Sequence, residues 1–168
     1  MTLSMYQASA PRFVNSLKNL SAILDKAQAH CEARKIDPLV LTASRLYPDM
    51  FALARQVQIA CDNAKGAVAR LAGVEAPKHE DSEQTLAELK ARIAKTIAFI
   101  ETLTPAQIDG SEDKDIALKL GPREVQWKGM QYLLGFALPN FYFHVVTAYD
   151  ILRHNGVELA KRDYIGNP

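Results

Sequence analysis

The chain has 168 residues, of which 48% are hydrophobic and 23% charged, and its formal net charge is +1. This length fits one domain with a continuous core, so we expect a single domain over residues 1–168. The balanced charge and the lack of a long basic run argue against a nucleic-acid partner. No apolar stretch approaches the ~20 residues of a membrane span, and the first residues lack a secretory signal. We therefore expect a cytoplasmic protein that binds neither nucleic acid nor membrane.

The first half of the chain predicts two long amphipathic helices. Apolar residues at helical spacing cover residues 4–34, where Pro11 predicts a kink or a short leading turn. A brief helical turn is expected after Pro38. The second long helix is predicted to start at Pro48, which suits a first helical turn, and to end at Gly73 as its C-cap.

A third helix is predicted after a polar loop. Asp81 or Ser82 is expected to cap its N-terminus, and Thr104 with Pro105 is expected to end it and to open one short turn.

Residues 115–127 change from helical spacing to alternation of apolar and polar residues. With a Gly-Pro turn in the middle, this pattern predicts a small β-hairpin. Two strands alone are marginally stable, so the hairpin must pack on the helices, with Leu118, Leu120 and Trp127 shielded and Lys119 and Arg123 exposed.

The fourth long helix is predicted from Met130 to Asn155, with a kink near Pro139 and Gly156 at its C′ position. Together the elements indicate an all-α protein, a four-helix bundle with a small β-hairpin between helices three and four.

The two cysteines, Cys31 and Cys61, lie on separate helical segments and lack CxxC spacing. Without an export signal, we expect both to be reduced thiols. Neither has a neighbouring histidine or basic cluster in sequence, so buried apolar packing is expected for both.

The fourth helix carries the densest group of polar residues, in "NFYFHVVTAYDILRHNG", residues 140–156. Asn140 and His144 are one turn apart and share the apolar face of the helix, where each needs a partner. Gln58 flanks the inward stripe of the second helix and is a candidate partner. This group is interpreted either as a core network that fixes helix register or as the polar floor of a ligand pocket.

The chain resembles a bacterial family of unknown function that is grouped with the DinB and YfiT-like four-helix bundles. The resemblance covers nearly the whole chain and rests on three segments: "SMYQASAPRF", "RQVQIACDNAKGAVARLAG" and "HVVTAYDILRHNGV". It implies the bundle fold, but no activity, because the family has none established.

In the wider superfamily, three histidines bind a divalent metal, one from helix two and two as an HxxxH pair on helix four. The resemblance places the second histidine of the pair on His144 and the first on Asn140, a poor metal ligand. Helix two has no histidine, and Gln58 or Cys61 is the nearest inward substitute. With His144 as the one retained ligand, the metal site is expected to be degenerate.

Three hypotheses for function follow. The first is a small-molecule-binding protein with His144, Asn140, Gln58 and Cys61 around the pocket and no metal. The second is a metal-dependent hydrolase or thiol transferase of the superfamily type, with zinc or nickel as the metal. The third is a non-catalytic structural dimer. A homodimer is expected in any case, because Tyr142 and Phe143 add apolar surface beyond the buried stripe of the fourth helix.

Overall fold

The computed structural model describes residues 3–166 and is mostly helical, with one two-stranded antiparallel sheet. Within this range no helix combines the length and the hydropathy needed to cross a membrane. In chain order the helices are α1 Met5–Ala8, α2 Ala10–Arg34, α3 Pro38–Ala43, α4 Leu53–Ala72, α5 Leu86–Glu101, α6 Pro105–Ile108, α7 Gly129–Tyr132, α8 Leu138–His154 and α9 Lys161–Ile165. The strands β1 Asp115–Leu120 and β2 Arg123–Lys128 lie between α6 and α7.

Four long helices, α2, α4, α5 and α8, enclose the core. Helix α4 packs against both α5 and α8, and α2 packs against α5 and α8. Phe13 of α2 meets Phe141 of α8 edge to face, with ring centroids 4.9 Å apart, and both side chains are fully buried. Helix α4 therefore has packed neighbours on two sides, and polar residues on either of these faces can contact another helix.

The first predicted helix is divided at Ser9. Its hydroxyl donates to the carbonyl of Met5, and Pro11 lies in the first turn of α2, where its missing N–H costs nothing. The short leading turn expected from Pro11 is α1.

The second helix begins later than predicted, at Leu53 rather than Pro48. Residues 46–50 form bends and a turn, and the N–H of Leu53 donates to the carbonyl of Ser44, 2.9 Å away. Its end is as predicted, because Gly73 adopts the left-handed conformation with φ 75°.

The third helix also begins later than predicted. Thr85 caps α5, and its hydroxyl accepts from the N–H of Glu88 while the Glu88 side chain accepts from the N–H of Thr85. Asp81 is not the cap, since its carboxylate binds Arg55 and Arg92 instead.

The hairpin pairs Ile116 with Trp127 and Leu118 with Val125. Ile116 is buried, and Leu118 and Trp127 are partly buried against the core. Leu120 is 37% exposed, contrary to the prediction that it would be shielded, because it lies at the turn end of the hairpin.

The fourth predicted helix is interrupted just before Pro139. Residues Leu133–Ala137 form a π-helical turn, in which the N–H of Leu138 donates to the carbonyl of Leu133. Proline has no N–H to continue the α-helical ladder, and a wider turn is a known way to absorb such a break. The helix then continues to His154, and Gly156 takes a positive φ of 87° after it.

A candidate ligand-binding site around His144

His144 of α8 is hydrogen-bonded to Gln56 of α4. The ring Nδ1 lies 2.6 Å from the side-chain Oε1 of Gln56, and His144 is only 7% exposed. The pair joins the two helices. A histidine held in this way has a fixed ring orientation.

The orientation of the Gln56 amide decides which nitrogen of His144 carries the proton. The Nε2 of Gln56 donates to the carbonyl of Phe51, 3.1 Å away, and a carbonyl oxygen can only accept. The amide oxygen must then face His144 and accept from Nδ1–H. The neutral ring therefore carries its proton on Nδ1 and presents a lone pair on Nε2.

The Nε2 atom of His144 is the free end of this chain of hydrogen bonds. It has no hydrogen-bond partner among residues 3–166. It still contacts solvent, because it is not among the buried, unpartnered side-chain atoms of that range. Burial, and then the positive charge of Arg55, lower the pKa of His144 below its ordinary value of 6.5. The ring is therefore neutral near pH 7 and acts as a hydrogen-bond acceptor.

Asn140 lies one turn before His144 and also contacts α4. Its side-chain Nδ2 donates to Oδ1 of Asn63 at 2.9 Å, so the two polar residues of α8 share one helix as their partner. This contact satisfies part of the Asn140 side chain and fixes the register of α8 on α4.

Two exposed aromatic residues contact the pair, Phe143 through its ring and Phe51 through its backbone carbonyl. The Phe143 ring packs edge to face on the His144 ring with centroids 5.3 Å apart, and 56% of Phe143 is exposed. Phe51, whose carbonyl holds Gln56, is 55% exposed. Ligand sites commonly combine a few polar groups with apolar side chains, and the His144 acceptor with the Phe143 ring on it supplies one of each.

Gln58 and Cys61, the other two predicted site residues, are on a different side of α4. Gln58 donates to Glu83 at 3.1 Å and accepts from Arg55. Burial raises the pKa of the Cys61 thiol to about 12, although Thr96 and Arg92 oppose the rise, so it is not a nucleophile near neutral pH. The partner of His144 is thus Gln56, which sequence analysis missed, and not Gln58. Both cysteines are buried and free, as expected.

A second polar group, centred on Arg92 of α5, was also missed. Arg92 is 1% exposed, and its guanidinium binds Asp62 at 2.8 Å, Asp81 at 2.9 Å and Glu83 at 3.1 Å. It also donates to the carbonyl of Glu80 at 2.9 Å. The loop between α4 and α5 is therefore fastened to both helices by one buried arginine.

The residues around His144 do not fit a divalent metal. The amide of Gln56 is hydrogen-bonded to its ring and Asn140 lies one turn before it, whereas zinc prefers histidine, cysteine and carboxylate ligands. Across residues 3–166 no three His, Cys, Asp and Glu side chains are grouped so that they would hold a metal ion. His144 itself offers one ligand atom, Nε2.

A family model described as a domain of unknown function, DUF1993, matches residues 5–165. The chain belongs to the DUF1993 family. The recognition of a family of unknown function related to DinB proteins is thus confirmed.

A solved structure has a fold similar to the one described above. The chain is similar to a crystal structure of a DinB family member protein from Shewanella denitrificans, with 46% identity and a TM-score of 0.88. The match covers 97% of this chain and 92% of that chain. A comparison with proteins of curated function gives no match.

Proposed function

We propose that this DUF1993 protein is a small-molecule-binding protein of the DinB-like four-helix-bundle type, with His144 as the polar anchor of its site. The single observation that carries the proposal is the hydrogen-bond chain from Phe51 through Gln56 to His144. This series of hydrogen bonds uses the Nδ1 proton of the ring and leaves Nε2 as an acceptor without a partner in the described part of the protein, residues 3–166.

The anchor determines what the ligand must offer. A neutral imidazole with a lone pair on Nε2 binds a hydroxyl, amine or amide N–H, and it gains least from a carboxylate, which only accepts. The exposed ring of Phe143 packs on the His144 ring and adds apolar contact beside it. The ligand class is therefore a small molecule that joins a hydrogen-bond donor to an apolar or aromatic group.

Phenol and toluene are a matched pair of probes for this site, since they differ by one hydroxyl. Titration of each into the full-length protein is followed by NMR of the His144 ring and, in all variants, of the backbone amides of α4 and α8. Both sets of signals should show saturable shifts with phenol and much weaker shifts with toluene. His144→Leu should lose the preference for phenol. His154→Ala, a change at the exposed end of the same helix, should keep it.

Two results would contradict the proposal. One is an equal response of His144 to phenol and toluene, which would mean that no hydrogen bond is made. The other is an unchanged preference for phenol in His144→Leu, which would place the probe elsewhere.

The metal-dependent hydrolase or thiol transferase is the alternative that the superfamily implies. Thermal melts of the wild type, His144→Leu and Asn140→Leu with added zinc or nickel separate it from the proposal. We expect no metal-dependent rise in melting temperature. A rise in the wild type that both variants lose would favour a metal enzyme.

A homodimer is the second part of the proposal, supported by the exposed apolar side chains on α8. Phe143 and Val146 are one helical turn apart and both are exposed, while Tyr142 is partly buried against the core. Light scattering at tens of micromolar should give a mass near twice 18.6 kDa. Phe143→Ser should shift it towards the monomer, whereas a wild-type monomer would remove this part of the proposal.

A further inference from the structure

A cavity of about 290 Å³ lies between the loop that follows α4 and helix α5, and His144 is not among its lining residues. Loop residues Lys78, His79 and Glu83 line one side, and Arg92 and Lys95 of α5 line the other. Its volume is at the lower end of the range for small-molecule sites, so it suits a single small group.

Two lining residues, Arg92 and Glu83, belong to a closed charge network. In this network three cations and three anions pair with one another: Arg55, Lys65 and Arg92 with Asp62, Asp81 and Glu83. Because these charges balance, the network contributes rigidity but little net charge. Any net charge in the cavity therefore comes from lining residues that do not belong to this network.

The rim of the cavity carries an excess of positive charge. Lys78 and Lys95 line the cavity, and neither forms a salt bridge with any residue in the range 3–166. Glu80 also lines the cavity and contributes one negative charge. Two positive charges and one negative charge among these residues leave a net charge of +1, which favours an anion.

His79 adds a neutral donor to the two lysines. Its Nδ1 is sealed from solvent and has no hydrogen-bond partner, so a proton there would be an orphaned donor. The proton is better placed on Nε2, the nitrogen that is not sealed. Burial, followed by the charges of Lys65, Arg92 and Lys95, lowers the pKa of His79, and Asp62 opposes this. The imidazole thus senses a net positive environment.

We propose that this cavity binds a small phosphate-type oxyanion between Lys78, His79 and Lys95. Two ammonium groups and one imidazole N–H supply donors to three oxygens of the anion, and hydrogen bonds of this charge-assisted kind are the stronger ones. The anion is either free inorganic phosphate or the terminal phosphate of a small ester, since both present the same oxygens. Arg92 holds the loop in place and is a positioning residue.

The probe is inorganic phosphate, titrated into the full-length protein against sodium chloride of equal ionic strength, with NMR of the His79 ring as the readout. Phosphate should shift the His79 signals saturably and raise the pKa of His79, because the bound anion offsets the positive surroundings. Chloride should give a small and non-saturating change. Glycerol phosphate, titrated in the same way, separates the two sources: tighter binding of the ester or of the free ion identifies which one the cavity takes.

Two double variants remove the same charge from different places. Lys78→Gln with Lys95→Gln should weaken phosphate binding about tenfold or more, since each lost charged hydrogen bond is worth a substantial part of that factor. Lys119→Gln with Lys161→Gln, on the hairpin and on α9, should leave it unchanged. No response of His79 to phosphate, or equal weakening in both double variants, would overturn the proposal.

Discussion

The side chains of Gln56 and His144 form a 2.6 Å hydrogen bond between α4 and α8, and Phe51 fixes its polarity by accepting from the other end of the Gln56 amide. The carbonyl oxygen of Phe51 thus sets the tautomer of His144 through the Gln56 amide that lies between them. This relationship underlies the proposed function, and it has energetic consequences that are measurable without a ligand.

A double-mutant cycle of Gln56→Leu and His144→Leu should show coupling. Each single change leaves a buried polar group without its partner, which costs about 1–3 kcal/mol in the free energy of unfolding. The double change removes both groups, so it should cost less than the sum of the two by roughly 0.5–3 kcal/mol. Urea unfolding measures all four proteins, and additive losses would show that the pair does not interact.

Stability should fall on mild acidification. The folded-state pKa values of His144 and His79 are lowered, so the unfolded chain takes up protons first. The stabilisation is present above the unfolded value near 6.5 and is lost as the pH falls below it. Urea unfolding from about pH 7.5 to about pH 5.5, around the ordinary histidine value, measures the loss.

Two variants assign this pH dependence to its source. Between the two pH values, His144→Gln should lose less free energy of unfolding than the wild type does. It lacks one of the two histidines whose pKa is lowered in the folded state. His154→Gln changes an exposed residue at the end of α8 and should keep the wild-type loss. An equal pH dependence in all three proteins would contradict the assignment to His144.

Removal of the buried Arg92 charge should be strongly destabilising. Arg92→Met leaves three carboxylates without their shared cation, and breaking a buried ion pair on one side costs about 3–5 kcal/mol. We expect the lower end of that range, because Asp62 and Asp81 are partly solvated. Lys90→Met is the matched control on α5: Lys90 pairs with Asp25 at the surface, and its loss should cost under about 1 kcal/mol.

Trp127 should report the packing of the hairpin. Its ring stacks on Phe136 with centroids 5.2 Å apart and lies 5.9 Å from Tyr132, and the residue is partly buried. Its fluorescence should therefore be blue-shifted from that of free tryptophan and only partly quenched by acrylamide. Phe136→Ala should move both properties towards solvent values, whereas Leu120→Ala, at the exposed turn, should not.

The helical part of the fold was accessible from the sequence because long apolar periodicities dominate it. The starts of α4 and α5 could not be predicted in this way, because the residues typical of a helix start make other contacts in the structure. Asp81 and Pro48 stand where a helix start is typical, but Asp81 pairs with Arg55 and Arg92, and Leu53 takes the carbonyl of Ser44 instead. Contacts between residues far apart in sequence decide both cases.

The sequence indicated the polar residues that α8 contributes to the candidate site but not their partners on α4. His144 and Asn140 stand out on an apolar face of α8, and the structure brings each to a polar partner. On α4, however, Gln56 and Gln58 are both buried, because neighbouring helices and the Arg92 network cover different sides of the helix. The helical spacing of apolar residues shows which face of α4 is buried, but not which of the two glutamines faces α8. Arg92 was missed because an arginine is ordinarily expected at the surface.

The tautomer of His144 is the most direct test of the account. With ¹⁵N-labelled protein near neutral pH, the ring nitrogens of His144 should show a protonated, pyrrole-like Nδ1 and an unprotonated, pyridine-like Nε2. In Gln56→Leu this preference should weaken, because the acceptor for the Nδ1 proton is gone. A wild-type His144 that carries its proton on Nε2, or that is doubly protonated near pH 7, would contradict the account.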